Sequence, residues 1–428
     1  MNHTEELIHT YLTASCTEPL RDPVWGTVLL PKTFMELILL PEFQKLSRIR
    51  QLGPTYLLYP GAVHTRLSHS IGVFAIARKI LISLLQKQNR ATGLPWTLTG
   101  VKSFLAAALL HDIGHFPYTH SLKDLPLESH ETLAARIILE RKEVFAVLEK
   151  TIGASAGMTA AIIDGDQPGE DRQTAAFRSI LSGTLDPDKL DYLNRDAFFC
   201  GVPYGLQDVD FILTKLKLTG DDRMGIQERG IGSIEHLLFA KYLMYRNVYW
   251  HSSVRSATAM IRKALYTGLR EGLIKPSDLY QLDDQQFIQK FSASKYSFCT
   301  PIDLAAANRL YPAVLTLPQS SLTSELQNRL RSQEFRYTAE ERLRRALNRE
   351  HNLSLNPWEV IVDIPEPISF ESDVPVELED GTVVKFPEAG PVFTKPVIDG
   401  FTQNLSKIRL FTPRQLSIDK DNLLEYLS

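Results

Sequence analysis

The chain has 428 residues, 44% of them hydrophobic and 23% charged, with a formal net charge of -3. That length exceeds one small core and predicts two or three subdomains, and the near-neutral charge exerts no global pull toward nucleic acid or membrane. Cys16, Cys200 and Cys299 are odd in number and far apart, which argues against a disulfide framework and for a cytoplasmic protein. No apolar run reaches the length of a membrane span, and Met1 to Thr10 lacks the pattern of a signal peptide.

The first twenty residues read as an N-terminal extension, a short helix leading into an extended piece from Asp22 to Leu30. Helical spacing then takes over, with apolar positions at Phe34, Leu37, Ile38, Phe43, Leu46 and Ile49 predicting a helix over 33–50. Ser68 caps a helix over 68–88, and 99–112 is apolar almost all round, as a central buried helix would be. Further helices are expected over 130–149, 173–182, 188–199, 207–217, 233–250 and 252–271. From about residue 353 the pattern changes. Val360-Ile361-Val362 and Lys407 to Phe411 read as strands, and Asp380-Gly381 as a hairpin turn. The expected fold is therefore mainly α. A helical body over 21–275 is followed by a helical connector over 276–352 and a small α+β subdomain over 353–428.

Six of the eleven histidines lie between His64 and His130, around the tetrapeptide His111-Asp112-Ile113-Gly114. A His-Asp doublet supplies an imidazole nitrogen and a carboxylate oxygen from adjacent residues, a donor mixture suited to divalent metals. The alternative, a helix C-cap beside a satisfied core histidine, would leave Asp112 buried against an apolar helix without a cation, which is costly. His69 on the first turn of one helix, His111 and Asp112 at the end of a second where Gly114 stops it, and Asp188 opening a third give four ligands. Positions are left for water and substrate, and the metal would lower the pKa of a bound water. His64 is assigned to a loop before the site. His115, His120 and His130 are candidates to donate a proton to a leaving group, or alternatively to hold a second metal. Arg66, Lys189 and Arg246 are candidates to neutralise phosphates.

These motifs resemble the HD-domain phosphohydrolases, in particular the dNTP triphosphohydrolase branch that includes the catalytic core of the SAM-and-HD-domain dNTPase. The resemblance rests on Ile49-Arg-Gln-Leu-Gly53, His64-Thr-Arg-Leu-Ser-His69, His111-Asp-Ile-Gly-His115 through His120, His130-Glu131, and Asp188-Lys-Leu-Asp-Tyr192 with Arg195-Asp196. It implies a divalent metal (Mg, Mn, Fe, Zn, Ni or Co) on His69, His111, Asp112 and Asp188. It further implies catalytic roles for His115, His130 and His120, and phosphate contacts from Arg66, Lys189 and Arg246. Gln51, Tyr192 and Asp196 would hold the sugar. The implied reaction is hydrolysis of a dNTP to deoxynucleoside and inorganic triphosphate, by a homo-oligomer (dimer or tetramer). The chain departs from the family pattern at Lys123, where an acid is usual and Asp124 follows, and at Leu39, Lys45 and Ser47 in the nucleotide-activator motif. Trp250 and Val254 stand where a His and a substrate-stacking Tyr are usual. Two alternatives are weighed: a phosphohydrolase of nucleoside monophosphates or other phosphate esters, and a nucleotide- or nucleic-acid-binding protein with little turnover.

Overall fold

The computed structural model describes residues 3–87, 96–169, 171–219, 223–292, 294–366, 368, 370 and 373–427. It is mainly helical; among the described residues one small sheet is an N-terminal hairpin and the other two involve the C-terminal region. Two apolar helices form the centre. Arg66–Lys87 buries Val73, Phe74, Ile76, Ala77, Ile80 and Leu81 completely, and Leu98–Leu110 buries its run from Phe104 to Leu110. A helix apolar on every face needs neighbours on every face. They are Pro187–Cys200, Ala156–Ile163 and the N-terminal helix His3–Thr13.

The extended piece at the N-terminus is a hairpin, Cys16–Asp22 antiparallel to Gly26–Pro31. Asp22 Oδ1 accepts from the backbone N–H groups of Val24 and Trp25, each at 2.9 Å, and Gly26 turns at a φ of 73°, which a side chain would resist. The helix expected over 33–50 is broken in two. Lys32–Ile38 ends and Pro41–Gln44 restarts, because Pro41 holds Leu40 extended at a ψ of 141°. The helix expected over 130–149 likewise ends at Glu140, and Arg141 is extended before Lys142–Ala146.

Beyond residue 270 the chain builds two sheets. Ala313–Pro318 and Ile361–Asp363 flank Lys407–Phe411 in an antiparallel three-stranded sheet. The hairpin about Asp380-Gly381 joins Pro375–Glu377 to Val383–Lys385, with Gly381 at a φ of 85°. This hairpin extends a sheet begun by Leu216–Leu218 and Met224–Gln227, through the parallel pairing of Ile226 with Val376. The C-terminal region is thereby stitched to the helical body. Helix Ser252–Arg270 lies between them, with every residue from Val254 to Gly268 buried.

Candidate active site

Three helix termini converge on the proposed metal ligands. His69 lies in the first turn of Arg66–Lys87. His111 caps Leu98–Leu110, and Asp112 follows it. Asp188 sits in the first turn of Pro187–Cys200, where Asp186 caps the helix by accepting from the Lys189 N–H at 2.6 Å. Gly114 does not end its helix through a left-handed turn; it has no positive φ. A Cβ there would sit 2.1 Å from the His130 carbonyl oxygen, so glycine admits helix His130–Glu140 against the doublet.

The donor atoms of His69, His111 and Asp112 lie within 4.8 Å of one another. His69 Nε2 is 2.9 Å from Asp188 Oδ1, and His111 Nε2 is 3.4 Å from Asp112 Oδ1 and 3.9 Å from Asp188 Oδ1. His111 Nδ1 faces the Ala108 carbonyl at 3.0 Å, and its Nε2 is buried without a hydrogen-bond partner. An orphaned buried nitrogen facing two carboxylates fits a divalent cation, and these residues could hold one. The charge balance agrees. Burial disfavours the charged form of His69, but its hydrogen bonds to Asp188 and Asp191 outweigh that and carry its pKa up to about 10. The cluster therefore attracts positive charge. Burial likewise opposes ionisation of Asp112, yet His115 and Arg66 hold its carboxyl well below the usual range, and Arg66 Nη1 donates to Asp112 Oδ2 at 2.7 Å.

His69 Nδ1 lies 2.7 Å from Asp191 Oδ2, which fixes the ring with Nε2 toward the cluster and would keep the proton on Nδ1 when a cation takes Nε2. Asp191 in turn takes two hydrogen bonds from Arg195, at 2.8 and 2.9 Å, and Arg195 reaches Asp22 at 2.8 Å. Asp191 and Arg195 fall within the motifs Asp188 to Tyr192 and Arg195-Asp196, which assign neither of them a role. Their i, i+4 spacing, an acid followed one turn later by an arginine on a helix, is the signal the sequence offers. A Cβ on Gly72 would stand 1.8 Å from Asp191 Oδ1, so glycine is required for this close approach.

A cavity of about 490 Å³ opens on the cluster. His69, His111, Asp112 and Asp188 line it, as do Arg66, His120, His130, Gln51, Tyr192 and Asp196. Gln51 turns a buried, unpartnered Oε1 there. Both Asp196 oxygens are engaged, one with His64 Nε2 at 2.8 Å and one with Tyr249 Oη at 2.6 Å. His64 stands on the loop before the helix and stacks on Phe199. His115 is fully buried and does not line the cavity. Its Nδ1 is 3.1 Å from Asp112 Oδ1 and its Nε2 is 3.1 Å from His120 Nε2, so it joins the ligand to the exposed histidine. Burial and Arg66 hold the His115 pKa well below the ordinary value. Burial also pushes His130 down to about 4, although Glu131 stands 3.0 Å from its Nδ1.

Lys189 and Arg246, expected at the phosphates, do not line the cavity. Lys189 Nζ is tied back to the Gly183 carbonyl at 3.0 Å and Asp186 Oδ2 at 2.7 Å. Arg246 is displaced by geometry. Helix Ile231–Met244 continues as a π turn over Tyr245–Tyr249, and Lys241, Tyr245 and Tyr249, four residues apart, face inward while Arg246 packs against Tyr242 outside. The cations that do line the cavity include Lys123, Lys241, Arg255 and Arg262. Asp124 does not orient a histidine; it binds Gln333 and Arg336 instead. Trp250 and Val254 both line the cavity.

A helical body with histidine and aspartate ligands converging from three helix ends defines an HD-type site, and the family comparisons agree. The HD domain model matches residues 66–167, and the model of the HD associated region matches residues 207–418. The chain thus carries an HD domain followed by an HD associated region. It is 37% identical over 247 residues to the uncharacterized protein YwfO of Bacillus subtilis, a match covering 58% of this chain and 54% of that protein. It is 26% identical over 282 residues to the deoxynucleoside triphosphate triphosphohydrolase SAMHD1 of Gallus gallus, covering 59% and 45% respectively. The chain thus spans about half the length of these relatives. The crystal structure of a phosphohydrolase from Bacteroides thetaiotaomicron superposes with a TM-score of 0.70 over 93% of this chain and 100% of that one, at 24% identity, showing the same fold.

Proposed function

We propose that this protein hydrolyses deoxynucleoside triphosphates to deoxynucleoside and inorganic triphosphate. The observation that carries the reading is one cavity of about 490 Å³ lined at once by the metal-type cluster, by Arg66 and by His120 and His130. A divalent cation on His69, His111, Asp112 and Asp188 would supply Lewis acidity and a water nucleophile. Arg66, already held at Asp112, presents a fixed guanidinium to the α-phosphate. His130 is kept neutral by burial, and the approach of a polyanion raises its proton affinity, so His130 or His120 can carry a proton to the departing O5′. His115 positions His120. Gln51 Oε1 is an open acceptor for a sugar hydroxyl. The sequence likeness to an enzyme named for this reaction supports the same substrate class.

Lys189 and Arg246 lie off the cavity wall, and the loss of these two cations from the phosphate contacts favours a second reading, a nucleoside monophosphate or another phosphate ester, which needs fewer of them. Incubation with each dNTP and dNMP, singly and mixed, in Mg, Mn and Co separates the two. Triphosphate release supports the first reading, and orthophosphate from dNMP alone supports the second.

A further inference from the structure

The hairpin formed by Cys16–Asp22 and Gly26–Pro31 lies before the segment that matches the HD domain, yet it reaches the metal-type cluster. Asp191 is fully buried and its two oxygens receive four donors. Oδ2 takes His69 Nδ1 and Arg195 Nε; Oδ1 takes Arg195 Nη2 and the indole N–H of Trp25. The hairpin contributes a second time, because Asp22 Oδ2 accepts from Arg195 Nη1 at 2.8 Å while its other oxygen ties the turn that presents Trp25. We infer that the N-terminal hairpin, through Trp25 and Asp22, is a positioning element of the metal centre that fixes Asp191 and thereby the His69 ring.

The chemistry is that of an outer hydrogen-bond shell. A carboxylate with both oxygens doubly engaged cannot rotate, so His69 keeps one tautomer and one ring plane. Removal of such outer partners typically costs a bound metal about 10–100-fold in affinity. Lys79 stands 5.9 Å from the Trp25 ring, and the indole is half-buried, so Trp25 is held on its outer face as well.

The test uses the full-length protein with Co2+ as probe, by competition with a chromogenic chelator and by the visible d–d spectrum. Trp25→Phe, which keeps the ring and loses the N–H, is expected to bind Co2+ about 10-fold more weakly with an altered d–d spectrum. Asp22→Asn serves as the second variant, and it decides the matter if Trp25→Phe does not fold. A merely structural role would lower the melting temperature of the chelated protein and leave affinity and spectrum within two-fold of wild type; that result overturns the inference. The inference rests on the metal reading of the site and not on its substrate. Failure of the wild type to bind Co2+ would sink the metal reading and the inference together, whereas tight wild-type binding with unchanged variants sinks only the hairpin's role.

Discussion

Asp363 is the buried charge whose removal should be felt most widely. It is fully inaccessible, accepts from Arg255 Nε at 2.9 Å and Nη2 at 2.5 Å, and accepts from Arg262 Nη2 at 3.0 Å. Burial alone would raise its pKa, but the arginines hold it below the ordinary carboxylate range. Asp363→Ala leaves the largely buried Arg255 without its carboxylate and Arg262 with only Asp124, 3.5 Å away, with Arg409 nearby. Breaking such a pair by removing one partner costs about 3–5 kcal/mol. An unfolding entropy of roughly 2.1 cal/mol/K per residue gives about 0.9 kcal/mol per degree for a chain of this length, so the melting temperature should fall by about 3–6 °C. Because the folded pKa is depressed, the contribution is fully present above the unfolded value near 4 and is lost as pH falls through the folded one. The gap between wild type and variant, followed by scanning calorimetry, should therefore be constant at neutral pH and close in acid. Arg255 and Arg262 line the cavity, so KM should also rise. A melting temperature within 1 °C of wild type at pH 7 would show that Asp363 carries no such pairing energy.

Asp112→Ala should abolish both metal retention, by elemental analysis, and turnover, because it removes a ligand and leaves Arg66 unpaired. His130→Ala should retain the metal and lose about 10²–10⁴-fold in kcat, the range for a lost proton donor. Arg246→Ala should change kcat/KM less than about two-fold, in contrast to Arg66→Ala; a large loss would place Arg246 at the substrate after all. The pKa of Lys45 is pulled down to about 8, first by burial and then by Arg48. The charged form is therefore penalised in the fold, and the penalty fades as pH rises from about 8 toward the unfolded value near 10.4. Lys45→Met should gain about 1 kcal/mol at pH 7 after discounting for partial exposure, and nothing above pH 11, read from chemical unfolding.

What the sequence revealed was what local pattern encodes. His111-Asp112 sits at the end of an apolar run, His69 in a first turn and Asp188 at the start of a helix, so their places at helix ends were legible, and the helical body followed from periodicity. The C-terminal hairpin was legible from Asp380-Gly381 between Val376-Glu377-Leu378 and Val383-Val384-Lys385-Phe386. Long-range pairing was not. Nothing near Ile226 announces Val376 as its neighbour, and nothing near Asp22 announces Arg195. The placements of Lys189 and Arg246 turn on details below the pattern's resolution. One is an i, i+3 tether to Asp186, and the other a π turn that rotates the helix face between Lys241 and Tyr249. The break at Pro41 could have been read, since proline both forbids its own helical N–H bond and extends the residue before it.

31P NMR of the products formed from a dNTP in H2 18O by the metal-replete protein identifies the bond that is cleaved. Attack of water on the α-phosphorus gives inorganic triphosphate carrying one solvent oxygen on a terminal phosphorus, with an unlabelled deoxynucleoside. Labelled orthophosphate or pyrophosphate, or no cleavage of any dNTP by protein shown to contain metal, would contradict the proposed reaction.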